Sequence, residues 1–142
     1  MQLTKHTDFA LRSLMYLGAL PEGQLATITE IAKQFNIPRN HLMKVVHQLG
    51  KLEYIETLRG PKGGIRLKKN AAEITLAALV QDFEARLDPI NCDTPPCPMY
   101  GGCELKRAML EAQQAFLGVL GNYSVADLVQ RPSKLLDVVL IE

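Results

Sequence analysis

The chain has 142 residues, 47% hydrophobic and 22% charged, the size and balance of one small folded unit with an extension. No apolar run is long enough to cross a bilayer, and the start MQLTKHTDFA has no apolar segment before a small-residue cleavage site. A cytoplasmic protein is therefore expected, rather than a membrane-spanning or secreted one. The net charge of +1 conceals an asymmetry: residues 1–69 carry eleven Lys/Arg against five Asp/Glu, residues 70–142 five against ten, which points the first half toward a polyanion.

Thr7 reads as the N-cap of a first helix, with Asp8 in its first turn where a carboxylate suits the helix dipole. Phe9, Leu14, Leu17 and Leu20 supply its apolar face, and Pro21-Glu22-Gly23 ends it. A second short helix begins near Thr29, with Ile31, Ala32 and Phe35 inward. After the turn Asn36-Ile37-Pro38, a third helix over about 38–52 buries Leu42, Val45, Val46, Leu49 and Leu52. Its other face shows Arg39, Asn40, Lys44, His47 and Lys51.

Residues 54–58 and 65–67 read as short strands, and Arg59-Gly60-Pro61-Lys62-Gly63-Gly64 as the tip of a hairpin between them. Three helices followed by a basic, glycine-rich hairpin are the order of a winged helix-turn-helix, a mostly α fold with a small β-hairpin wing. The expected partner is double-stranded operator DNA. Arg39, Asn40, His41 and Lys44 are the candidate contacts on the third helix, with Arg59, Lys62, Gly63, Gly64 and Arg66 on the wing. His41 is as well suited to packing beside the helix as to DNA. The glycines allow the wing to approach the DNA backbone closely.

Thr75 caps an expected fourth helix bearing Leu76, Leu79, Val80 and Phe83, which stops before Asp88-Pro89. A long helix from about Glu104 to Asn122 carries Leu105, Met109, Ala112, Phe116, Val119 and Leu120 along one stripe. A stripe of that length outside the winged domain needs a partner surface, and a homodimer seam is the preferred reading. Ser124 and Asp127 form a capping box for a short helix ending at Pro132, while the tail from 134 onward is compatible with helix or strand. The expected division is a DNA-binding domain over 1–70 and, over 71–142, a cysteine loop with dimerisation helices.

Between the fourth and fifth helices lies NCDTPPCPMYGGC, which contains every cysteine of the chain: Cys92, Cys97 and Cys103. An odd number of clustered thiols in a reducing compartment points to metal or redox chemistry rather than a disulfide framework. The C-x4-C-x5-C spacing departs from the short paired motifs of structural zinc, and His6, His41 and His47 all lie in the DNA-facing half. Iron–sulfur ligation suits three thiolates in a Pro/Gly-rich loop better. The fourth donor stays open among Asp8, His6, Asp93, Glu104 and a solvent or small thiol. No glycine-rich phosphate loop or nucleophile–base pair suggests an enzyme.

The segments MQLTKHTDFALR, LPEG, RNHLMKVVHQL, RGPKGGIRL and NYSVADLV, together with the cysteine loop, resemble the Rrf family of winged-helix iron–sulfur transcription regulators, and most nearly its nitric-oxide-sensing repressors. The resemblance covers nearly the whole chain. It implies a repressor that binds DNA as a homodimer and responds to nitric oxide through a [4Fe-4S] cluster, with [2Fe-2S] as the alternative. It also implies cluster ligands at Cys92, Cys97 and Cys103 and a carboxylate near the N-terminus, at the position of Asp8. Regulators of cluster assembly in the same family use a histidine shortly after the third cysteine, where this chain has Arg107.

Overall fold

The computed structural model describes residues 1–130, so the expectations for Pro132 and the tail lie outside the described residues. Helix α1 spans Lys5–Ala19, and its N-cap is Thr4, one turn before the expected Thr7. The Thr4 hydroxyl accepts the Thr7 N–H at 3.3 Å, and Thr7, now inside the helix, is fully buried. Asp8 remains in the first turn, its N–H donated to the Thr4 carbonyl. Helix α2 (Ile28–Phe35) is started by Thr27, whose hydroxyl and the Glu30 carboxylate cap each other's backbone N–H groups, and is stopped by Asn36 in the left-handed region. Helix α3 (Arg39–Lys51) follows Pro38, which occupies the cap position, and buries Leu42, Val45, Val46 and Leu49.

Strands β1 (Ile55–Leu58) and β2 (Gly64–Leu67) pair antiparallel, with Ile55 opposite Leu67 and Leu58 opposite Gly64. Ala26 adds a single bridge to Ile65, so the chain between α1 and α2 also braces the hairpin. A one-turn 3-10 helix, Ala71–Glu73, leads to α4 (Leu76–Phe83), capped by Thr75 as expected. Helix α5 covers Glu104–Leu120, and α6, Val125–Val129, opens with the expected Ser124–Asp127 capping box.

Helix α1 is the hub, packing against α2, α3, α4, α6 and β2. One continuous core joins Leu14, Ile31, Leu42, Leu49, Ile55 and Ile65 to Ile74, Leu79, Phe83 and Val125, so it extends past residue 70 into α4 and α6. Each fully buried Leu or Ile here contributes about 1.5–3 kcal/mol of transfer free energy. By contrast, α5 packs only its α4 side: none of its residues is fully buried, and Leu105 and Val119 are each 57% exposed. The segment carrying the cysteine loop and α5 leaves the core after α4 and returns beside it. Thr75 bridges Ser124, the Leu76 N–H reaches the Tyr123 carbonyl at 3.0 Å, and the Val125 N–H reaches Ile74 at 2.9 Å.

Candidate DNA interface and cysteine loop

Helix α3 and the wing present the basic residues picked out in the sequence, yet the structure divides them into engaged and free groups. Arg39 is held along the helix surface, its Nε donating to the Thr29 hydroxyl at 3.1 Å and its Nη1 to the Met43 sulfur at 3.2 Å. Asn40 and Lys44 are exposed on the same side. On the wing, Arg66 faces Glu56 across the strands with a 2.6 Å ion pair, and Lys68 pairs with Glu53 at 3.0 Å. The Lys68 ammonium, by hydrogen bond and then by charge, holds the Glu53 carboxyl below its ordinary value. Lys69 lies over the Tyr54 ring at 4.0 Å. Arg59 and Lys62, at the exposed tip, have no ion pair among the described residues and are the wing cations free to meet phosphate.

The wing glycines are also required within the chain itself. A Cβ at Gly63 would sit 2.2 Å from the Leu58 carbonyl oxygen, and one at Gly64 would sit 2.7 Å from that of Ala26. These positions are glycine because the chain's own backbone closes on them. Gly60, at φ +109, supplies the left-handed residue of the tip.

His41 turns away from the polar face of α3 toward α1. Its ring meets the Phe9 ring edge-on at 4.7 Å and stacks with His6 at 6.0 Å. His47 stays exposed on the outer face.

The cysteine loop is organised by its own backbone. The Asn91 side chain caps the N–H groups of Asp93 and Thr94, the Cys97 N–H reaches the Cys92 carbonyl at 3.0 Å, and the Tyr100 N–H reaches that of Cys97 at 3.2 Å. Cys103 stands at the cap of α5, its carbonyl accepting from Arg107. All three thiols are free and half-buried. A cavity of about 200 Å³ beside Cys92 is lined by Arg86, Asn91, Asp93 and Lys106. Among the described residues no three His, Cys, Asp or Glu side chains converge on a point where one metal ion would sit. Three soft thiols on one loop fit a thiolate-held cluster by donor chemistry, and the loop has to draw them together to hold it.

Neither N-terminal candidate for the fourth donor is idle. Asp8 accepts from Arg12 Nε at 2.8 Å in a half-exposed pair one helical turn apart. His6 Nε2 donates to Gln48 Oε1 at 2.6 Å. Sequence reasoning missed Gln48, Asp82 and Glu84, which join α1, α3 and the end of α4. Their partners are 34, 42 and 80 residues away, so no local spacing announces them.

The fold is shared with several solved proteins. It matches CymR (YrzC), described as the global cysteine regulator of B. subtilis, at a TM-score of 0.79 and 18% identity, over 94% of this chain and 99% of that one. The oxidized form of CymR from Staphylococcus aureus gives 0.76 at 20% identity, over 94% and 99%. T. potens IscR gives 0.77 at 14% identity, over 94% and 93%. A family model described as an iron-dependent transcriptional regulator, Rrf2, matches residues 3–131. With a winged helix, a basic α3 and wing, and a match over nearly its whole length, the chain belongs to the Rrf2 family of transcriptional regulators.

Proposed function

We propose that the chain is a nitric-oxide-sensing repressor of the NsrR type, which binds operator DNA as a homodimer and carries an iron–sulfur cluster. The observation that carries this reading is the placement of all three cysteines on a single loop between the DNA-binding core and the uncovered helix α5. Cys92, Cys97 and Cys103 would hold a [4Fe-4S] cluster, or alternatively [2Fe-2S], with Asp8 from a second copy of the chain as the fourth ligand. When bound, the cluster would supply iron open to a small neutral ligand such as nitric oxide.

The protein's own residues turn that event into a change at DNA. To ligate a cluster, Asp8 would give up its pairing with Arg12, and as a hard oxygen donor among thiolates it would be the weakest of the four holds. Asp8 lies in the first turn of α1, and α1 packs directly on α3, so release of the carboxylate is felt by the recognition helix. Arg39, Asn40 and Lys44 on α3, with Arg59 and Lys62 on the wing, supply the base and phosphate contacts. Pairing of two α5 helices along the stripe that carries Leu105 and Val119 covers both and sets two recognition helices on a two-fold axis, which suits a palindromic operator.

Absorption and iron/sulfide analysis of anaerobically purified protein, with operator binding measured before and after nitric oxide, tests this reading. Brown protein that releases operator on exposure to nitric oxide is expected. Colourless protein holding stoichiometric zinc overturns the cluster, and cluster-bearing protein indifferent to nitric oxide overturns the signal.

A further inference from the structure

The end of α4 is a joint, where Asp82, Phe83 and the cap residue Glu84 hold elements distant in sequence. Asp82 accepts the Tyr54 hydroxyl on its carboxylate and Gln48 Nε2 on its backbone carbonyl at 3.3 Å. The Phe83 ring lies 5.3 Å from that of His6. Glu84 accepts the Thr4 N–H at 2.7 Å and the Thr4 hydroxyl at 3.1 Å, closing the start of α1. Immediately beyond, the chain enters the cysteine loop.

Gln48 completes the joint from the DNA side. It lies in α3 next to the exposed His47, but is itself half-buried and spends both ends of its amide inward. The carbonyl end accepts from His6 on α1, and the amino end donates to Asp82 on α4. A glutamine that merely filled a gap would need neither bond, and leucine would serve. One that satisfies donor and acceptor on two different elements at once fixes its own helix against both.

We propose that Gln48 is a positioning residue that couples the cysteine loop to the recognition helix, holding α3 in register with the first turn of α1 and the last turn of α4. What occupies the loop rests on the function proposed above, but the linkage itself is a property of the chain. His6 precedes Asp8 by two residues in the same turn, and Glu84 precedes Cys92 by eight. A change at the α1 turn that carries Asp8, or at the end of α4 that leads into the cysteine loop, therefore has a hydrogen-bonded route to α3 through Gln48, beside the direct packing of α1 on α3.

The experiment uses the full-length protein and compares the parent with Gln48→Leu and with Tyr54→Phe, which keeps its ring and loses only the bond to Asp82. Operator affinity is measured with cluster and without it, alongside cluster absorption and melting temperature. In Gln48→Leu the absorption should be unchanged while the ratio of the two affinities falls about tenfold, within the usual range of coupling between sites. Tyr54→Phe should shift the ratio the same way by less. A double-mutant cycle of His6→Phe with Gln48→Leu in cluster-free protein should be non-additive in operator affinity, by threefold or more. Equal loss of affinity in both states with an additive cycle reduces Gln48 to an ordinary structural or DNA-facing residue and overturns the proposal, as does no change at all. If the parent holds no cluster, the function proposed above fails, and the cluster-free cycle still decides the linkage, additivity overturning it.

Discussion

Thr4 and Glu84, eighty residues apart, close the same helix end: the backbone N–H and the hydroxyl of Thr4 both donate to one carboxylate oxygen of Glu84. Partial burial by itself would raise the Glu84 pKa. Hydrogen bonds from the Thr4 N–H and from the Thr7 and Thr4 hydroxyls outweigh it and hold the carboxyl below its ordinary value. The folded state thus takes up its proton at lower pH than the unfolded chain does. The stability it adds is complete above the unfolded value near 4.5 and is lost as pH falls through the lowered folded value. Melting temperature measured from pH 6 down to pH 3 should fall less steeply in Glu84→Gln than in the parent. Parallel curves would remove Glu84 from the acid response.

Each cysteine should be indispensable to the proposed cluster. Cys92→Ala, Cys97→Ala and Cys103→Ala should give anaerobic protein without the cluster's visible absorption, folded to the same extent by circular dichroism, because none of the three thiols is part of the core. Asp8→Ala should retain a more labile cluster, read as faster bleaching by nitric oxide. Unchanged bleaching would shift suspicion to His6, whose bond to Gln48 would then have to break.

On the wing, charge already committed to a partner should matter less than free charge. Arg59→Ala should weaken operator binding, and Lys62→Ala should reduce the slope of log affinity against log salt by about one unit per lost phosphate contact. Arg66→Ala should change binding less than Arg59→Ala, since Arg66 is paired with Glu56. Salt titrations of all three in parallel check the order, and an Arg66 effect equal to that of Arg59 would contradict it.

Two glycines should be structural. Gly63→Ala places a methyl against the Leu58 carbonyl and Gly64→Ala against that of Ala26, so the hairpin tip must shift in each. A loss of about 3 kcal/mol is expected for Gly63→Ala, at the upper end of ordinary overpacking penalties. Gly50→Ala, where nothing stands within 4 Å of the new methyl, should be neutral or stabilising. Urea unfolding of the three variants gives the comparison directly.

Much of this architecture could be read from local chemistry. Thr75 and the Ser124–Asp127 box are caps in the structure because their hydroxyls are followed three residues later by the N–H they serve, a purely local arrangement. Thr7 misled because Thr4 offers the same hydroxyl one turn earlier, and the choice was made by Glu84, far along the chain. Likewise the helical period of α3 showed which residues enter the core, but not that His41 would rotate toward Phe9 or that Gln48 would bridge two other helices. The cysteines were legible as a group. The engagement of Asp8 by Arg12 follows from their i, i+4 spacing and needed only to be weighed against its other possible role.

The bridge between Thr75 and Ser124 has a consequence for how such a chain can change over evolutionary time. The start of α4 is clasped to the start of α6 where Thr75 meets Ser124, and the end of α4 is tied to Thr4 and Gln48, so the core does not register how long the piece between the end of α4 and the start of α6 is. Lengthening a flexible loop costs only about 0.6 kcal/mol per doubling of its length. The cysteine loop can therefore be rewritten, shortened or furnished with other side chains while the frame that grips DNA keeps its shape. One scaffold is in this way open to many signals, and the choice of signal is confined to a cassette that the frame holds at both ends.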